Sequence, residues 1–172
     1  MLIELEVLRK LPVAALADEE RIGTIQEVVL DPDSGELVGF WVQPTGWFTA
    51  RRALSSRDVV SYDTQAIVVQ SEAVLLPPEE IQPFKSVVRR NERWVGKRVE
   101  TESGQRLGHV STLVIDTDLE ILAKLHVSSL FGPERVLART EIVRVTPAAI
   151  IVKNTFGTAS AQLAPAAKEV AA

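Results

Sequence analysis

The sequence repeats itself. Gly23-Thr24-Ile25-Gln26-Glu27-Val28-Val29-Leu30-Asp31 aligns with Gly108-His109-Val110-Ser111-Thr112-Leu113-Val114-Ile115-Asp116 at an offset of 85 residues. The same offset sets Leu37-Val38-Gly39-Phe40-Trp41-Val42 on Leu122-Ala123-Lys124-Leu125-His126-Val127. After one loop the offset falls to 83. Ala53-Leu54-Ser55-Ser56-Arg57-Asp58-Val59-Val60 then aligns with Val136-Leu137-Ala138-Arg139-Thr140-Glu141-Ile142-Val143, and Ala66-Ile67-Val68-Val69 with Ala149-Ile150-Ile151-Val152. Chance similarity does not keep register through four blocks with a single two-residue gap. A chain of 172 residues written this way folds as two copies of one small unit.

Within each copy, short apolar runs rich in Val, Ile and Leu alternate with turn residues. The turn Asp31-Pro32-Asp33-Ser34-Gly35 has Pro at a position suited to φ near −65° and Gly at one suited to positive φ. No segment inside the repeats keeps a 3.6-residue apolar period over three turns, so helices are not expected there. One exception is local: Ser55 and Asp58 have capping-box spacing and predict a single helical or 3₁₀ turn over Leu54 to Val59. Several short strands in so few residues would leave a flat sheet with two bare edges, which curling into a barrel removes. The expected fold is all-β: two tandem small β-barrels related by a pseudo-two-fold axis. Residues 1–78 are read as the first unit, 79–91 as a linker, 92–157 as the second unit and 158–172 as a flexible tail. Pro77, Pro78 and Pro83 close the first unit, and Phe84 to Arg93 reads as a short turn or helix.

Composition removes several function classes. There are no cysteines, so thiol catalysis, disulfides and Cys-based metal centres are excluded. Two histidines and one tyrosine leave few acid–base groups for neutral pH. His109 and His126 lie on different runs without a third metal ligand and read as structural side chains. Asp31 to Glu36 resembles the start of a calcium loop. Gly35 falls at its fifth position and Val42 at its twelfth, so a hairpin turn is expected instead. No phosphate-binding, dinucleotide or nucleophile-elbow motif occurs. Neither catalysis, a cofactor nor a metal is expected. Lys and Arg number 19 against 23 Asp and Glu, a net charge of −4 that argues against non-specific nucleic-acid binding. Glu4 and Glu6 interrupt the opening residues where a secretory signal would be apolar, and a cytoplasmic protein is expected.

The pattern G-x-[IV]-x-x-[VL]-V-[LI]-D, then a turn, L-x-x-[FL]-x-V, [AV]-L-x-x-x-[DE]-[VI]-V and a closing A-I-[VI]-V resembles the PRC-barrel family. That family includes the cytoplasmic part of the photosynthetic reaction-centre H subunit and half of a ribosome maturation factor. The resemblance extends over both repeats. It implies a small, bent, mostly antiparallel barrel with a role in protein–protein contact and no shared catalytic centre. The RNA-associated domain of the maturation factor and the membrane anchor of the reaction-centre subunit have no counterpart in the residues, which leaves an adaptor or scaffold as the implied role.

Two groups of residues stand out as candidate contact surfaces. Strand alternation puts Ile121, Ala123, Leu125 and Val127 on the inner face of the second unit, and by transfer Val38, Phe40 and Val42 on that of the first. Trp41 then points away from the barrel interior, and Trp47 and Phe48 follow in the longer loop. These three aromatics are the expected interface, covered by the other barrel, a second copy of the chain or a foreign protein. The second group is basic: Lys85, Arg89, Arg90 and Arg93, with Lys97 and Arg98 just beyond. If Phe84 to Arg93 is helical, Lys85, Arg89 and Arg93 share one face, on which an anionic membrane surface, RNA or a partner's carboxylates would dock. A protein partner is the first expectation. An RNA- or ribosome-associated factor and a membrane-surface or division-apparatus adaptor are the alternatives.

Overall fold

A computed structural model describes residues 1–17, 19–46 and 49–155. The chain starts with a strand, β1 (Leu2–Glu4), and one helical turn, α1 (Leu5–Leu8). The first repeat follows as β2 (Pro12–Ala15), β3 (Glu20–Leu30), β4 (Leu37–Pro44), β5 (Arg52–Ser55), β6 (Val59–Tyr62) and β7 (Ile67–Val69). A helix, α2 (Gln82–Arg90), links it to the second repeat. There the strands are β8 (Arg98–Thr101), β9 (Arg106–Asp116), β10 (Ile121–Ser129), β11 (Gly132–Ala138), β12 (Ile142–Val145) and β13 (Ala149–Val152). The strand orders are β5-β4-β3-β2-β7-β6 and β11-β10-β9-β8-β13-β12, the same path twice. Both sheets curl into small barrel-like units, as the repeat pattern requires.

The duplication is visible in register as well as in order. Val13 pairs with Gly23 across β2 and β3 and with Ile67 across the parallel β2–β7 pair. Val99 pairs with the equivalent Gly108 and Ile150. The single Gly retained in each repeat has a packing reason. A Cβ on Gly108 would lie 2.1 Å from the Ser128 carbonyl oxygen, and one on Gly23 would lie 2.6 Å from Val42. The retained Asp has a turn reason. Asp31 Oδ1 accepts from the backbone N–H groups of Asp33 and Ser34 at 2.9 and 2.8 Å, and Asp116 Oδ1 accepts from that of Asp118 at 3.0 Å. The calcium-like segment is therefore a side-chain-closed hairpin turn. The expected 3₁₀ turn forms at Ser56–Asp58, with Ser55 Oγ accepting from Arg57 N–H.

The two hairpin turns meet each other. Leu37 N–H donates to the Glu120 carbonyl, and Leu122 N–H to the Gly35 carbonyl, both at 2.8 Å. These are one bond seen twice, because an offset of 85 exchanges its ends. A single core continues from one repeat into the other, with Phe40 and Leu54 of the first and Ile115 and Leu125 of the second all fully buried. Fully burying such a side chain contributes roughly 1.5–3 kcal/mol.

The segment leading into each repeat packs on the other one. Strand β1 pairs antiparallel with β9, Ile3 facing Ile115, so residues 2–4 belong to the second sheet although they precede the first repeat. Helix α2 precedes the second repeat and lies on the first, against β3 and β4. Its apolar residues Phe84, Val87 and Val88 fall at i, i+3 and i+4, which makes one packing stripe. Asn91 stops it in the left-handed conformation, φ 49°.

Candidate protein-interaction surfaces

The outer face of the first barrel is set by an irregularity in β4. Val29 pairs with Gly39 and Leu30 with Leu37, so Val38 is a bulge residue without a partner. The alternation of faces slips there. Phe40 and Val42 enter the main core as expected, but so does Leu37, while Val38 turns to the outer cluster. The second repeat has the same bulge at Ala123, which turns Leu122 inward and corrects the expected inner set in the same way.

Trp41 does point away from the barrel interior, and its cover is helix α2. It is 7% exposed and packs edge-on against Phe84, ring centroids 5.1 Å apart and planes at 79°. Val29, Ala53, Ile81 and Val87 complete this second apolar cluster. The linker was not among the covers foreseen from the sequence. Arg51 closes the cluster from outside, its guanidinium carbon 4.0 Å from the Trp41 ring centroid and its Nη1 4.0 Å from Glu27. Trp47 and Phe48 lie outside the described residues.

The basic cluster divides. Arg90 Nη1 donates to Asp33 Oδ2 at 2.6 Å and Nη2 to Asp33 Oδ1 at 3.1 Å, a two-pronged clamp between the end of α2 and the first hairpin turn. Glu92 accepts from Arg90 and from Lys97, and Arg98 lies 3.1 Å from Glu100. Hydrogen bonds from Arg90 hold the carboxyl groups of Asp33 and Glu92 below the ordinary carboxylate range, and the same bonds push the Arg90 guanidinium up. Lys85 and Arg89 share a helix face. Arg93 does not join them, because the helix ends at Arg90.

Two further surfaces emerge. One is the β10–β11 hairpin tip, where Leu130 is 93% and Phe131 100% exposed. No role is assigned to this tip from the sequence, because the repeat offset changes from 85 to 83 within this same connection. At 83, Trp47-Phe48 aligns in sequence with Leu130-Phe131, so both repeats carry a large apolar pair in this part of the sequence. The other is a groove of about 310 Å³ between the repeats, bounded by β3, α1, the end of α2 and residues 91–95. Leu30, Leu113 and Trp94 lie at its floor and Arg9, Arg51 and Arg93 on its rim.

The histidines show no metal-site geometry. His109 is exposed on β9, and His126 Nδ1 lies 3.4 Å from Glu134. Among the described residues no cluster of three or more His, Asp or Glu is placed to hold a metal, and no helix is long and apolar enough to cross a membrane.

No curated protein matches the chain. The family model for the PRC-barrel domain matches residues 3–79, which run from β1 through the first curled sheet to the Pro-rich segment. The chain thus carries a domain of the PRC-barrel family in its first half.

Proposed function

We propose that the protein is a non-catalytic adaptor, made of a PRC-barrel and its duplicate, that recruits a protein partner through the β10–β11 hairpin tip. The observation that supports this most is the exposure of Leu130 and Phe131, 93% and 100%, at the turn of the β10–β11 hairpin. Turn positions are ordinarily polar or Gly, so two large apolar side chains held in water there call for a covering surface. Burying them on a partner contributes about 25 cal/mol per Å² of apolar area, and the stiffness of the hairpin keeps the ordering cost small. The basic groups near α2 contribute less to recruitment, since Arg90, Lys97 and Arg98 are already engaged by carboxylates.

The test is capture from native lysate with wild type and a Leu130→Ser, Phe131→Ser double variant, followed by reconstitution with the purified partner. The partner's affinity should fall on the order of 100-fold in the variant, as expected for apolar anchor residues. Equal affinity for both proteins would overturn the reading. Loss of binding to anionic vesicles, with protein capture unchanged, would replace the protein partner by a membrane.

A further inference from the structure

The pseudo-two-fold symmetry is broken at one place, and the break leaves a strand edge open. On β9 the side away from β10 is filled twice. Strand β8 covers the first half, and β1 covers Val114 to Asp116. On β3 the side away from β4 is filled once, by β2 as far as Thr24, and Ile25 N–H is taken by the Leu11 carbonyl. Beyond that point, among the described residues, β3 is paired only to β4. The position that β1 occupies in the second repeat corresponds in the first to the end of α2. A helix cannot supply strand hydrogen bonds, and the space it leaves is the 310 Å³ groove beside Val28, Val29 and Leu30.

Direction follows from the bonds that are visible. Asp31 N–H faces β4, donating to the Glu36 carbonyl, so by alternation Leu30 and Val28 turn their backbone groups to the open side. A bulge at Gln26 ends that alternation, and the Gln26 carbonyl already accepts from Arg9 Nε at 3.3 Å.

We infer that this edge is a second docking site, one that takes an extended peptide segment of a partner protein as an added antiparallel strand. The inference goes beyond the hairpin-tip reading and does not depend on it. The chemistry of the occupant is given by β1 on the sister edge. Ile3, opposite Ile115, is 5% exposed, while Leu2 and Glu4 on either side are exposed. The ligand therefore presents one aliphatic residue opposite Leu30, between residues that face water. Main-chain bonds supply affinity and the single buried side chain supplies selectivity. On the rim Arg9 is shared with Glu6 and Arg51 with Glu27, and Arg93 favours an acidic residue in the nearest flanking position. Thr117 N–H donates to the Met1 carbonyl at the far end of the sister pairing. Its counterpart is Pro32, which has no N–H, so the open edge is one bond shorter.

The probe is an acetylated and amidated peptide with the sequence of residues 2–6, Leu-Ile-Glu-Leu-Glu, added to the full chain and followed by amide hydrogen exchange. Saturating peptide should slow exchange at Val28 and Leu30 by ~10-fold or more and leave Ile115 unchanged. The same peptide with Ile3→Pro should have no effect, and Arg9→Glu in the protein should weaken binding of the original. Unchanged exchange at Val28 and Leu30 would overturn the inference. So would protection at Ile115 instead, which would mean exchange with β1. Protection that rises with protein concentration in the absence of peptide would assign the edge to a second copy of the chain. Loss of hairpin-tip binding leaves these readouts untouched.

Discussion

Glu36 and Ile121 face each other across an isolated antiparallel bridge, and they are the same position of the two repeats. The pseudo-two-fold axis therefore passes between two backbone segments rather than through side chains. Strands β4 and β10 leave this bridge in opposite directions, which sends the two distal hairpin connections to opposite ends of the molecule. Gly35 and Glu120, one residue before the bridge on each side, both have positive φ, 74° and 50°.

Gly35 is the tighter of that pair. A Cβ there would lie 3.2 Å from Leu122 Cβ, in addition to the left-handed strain. Gly35→Val should lower the unfolding free energy by ~1–3 kcal/mol in a urea titration. A midpoint equal to wild type would mean that the bridge contributes nothing to stability.

Phe84 carries the docking of the linker helix. Phe84→Ala removes the ring packed on Trp41 and should cost ~3–5 kcal/mol. Part of the tryptophan emission should shift to the red as the indole meets water, and fast amide exchange should spread along residues 82–90. Protection of α2 equal to wild type would show that the helix is held by other contacts.

Tyr62 couples stability to alkaline pH. Its hydroxyl donates to Glu120 Oε1 at 3.0 Å, and burial first, then the Glu120 charge, pushes its phenol well above the ordinary value near 10. The folded state keeps the proton and the unfolded chain releases it, so the contribution is complete below about pH 10 and declines as pH rises above it. Tyr62→Phe should cost ~1 kcal/mol at neutral pH and remove that alkaline decline. Parallel pH profiles for variant and wild type would refute the assignment.

Asp33 and Arg90 give the acid counterpart. The carboxyl is held below its ordinary range by the guanidinium, so its contribution is present at neutral pH and lost as pH falls through the depressed value. Both groups are exposed, which makes the effect small and salt-sensitive. Arg90→Ala should return the Asp33 titration, followed by carboxyl NMR, to its ordinary value. An unchanged titration would mean that the clamp is absent in solution.

The architecture was legible because a duplicated core repeats its alternation of apolar and turn residues, and because the retained Gly and Asp each answer a backbone need. The slip of faces at Val38 and Ala123 was not legible, since a bulge alters pairing without altering composition. Helix α2 could be read as a short helix from Phe84, Val87 and Val88. That it covers Trp41 could not, because two apolar stripes on separate segments do not say which packs on which. That β1 joins the second sheet could not be read for a related reason: three residues carry no label naming the sheet they join. The Leu130-Phe131 tip was not legible because the two-residue gap between the repeats falls in this connection, and its placement decides which residues align.

The exchange of leading segments also bears on how the chain comes to be folded during synthesis. Met1 and Thr117, joined by two hydrogen bonds, are separated by 116 positions. Strand β1 has no seat until the middle of the second repeat has been made. Its closure is a long-range step, which slows the approach to the native state. A nascent chain stalled before residue 114 should expose residues 1–4 to protease, and release past that point should bury them.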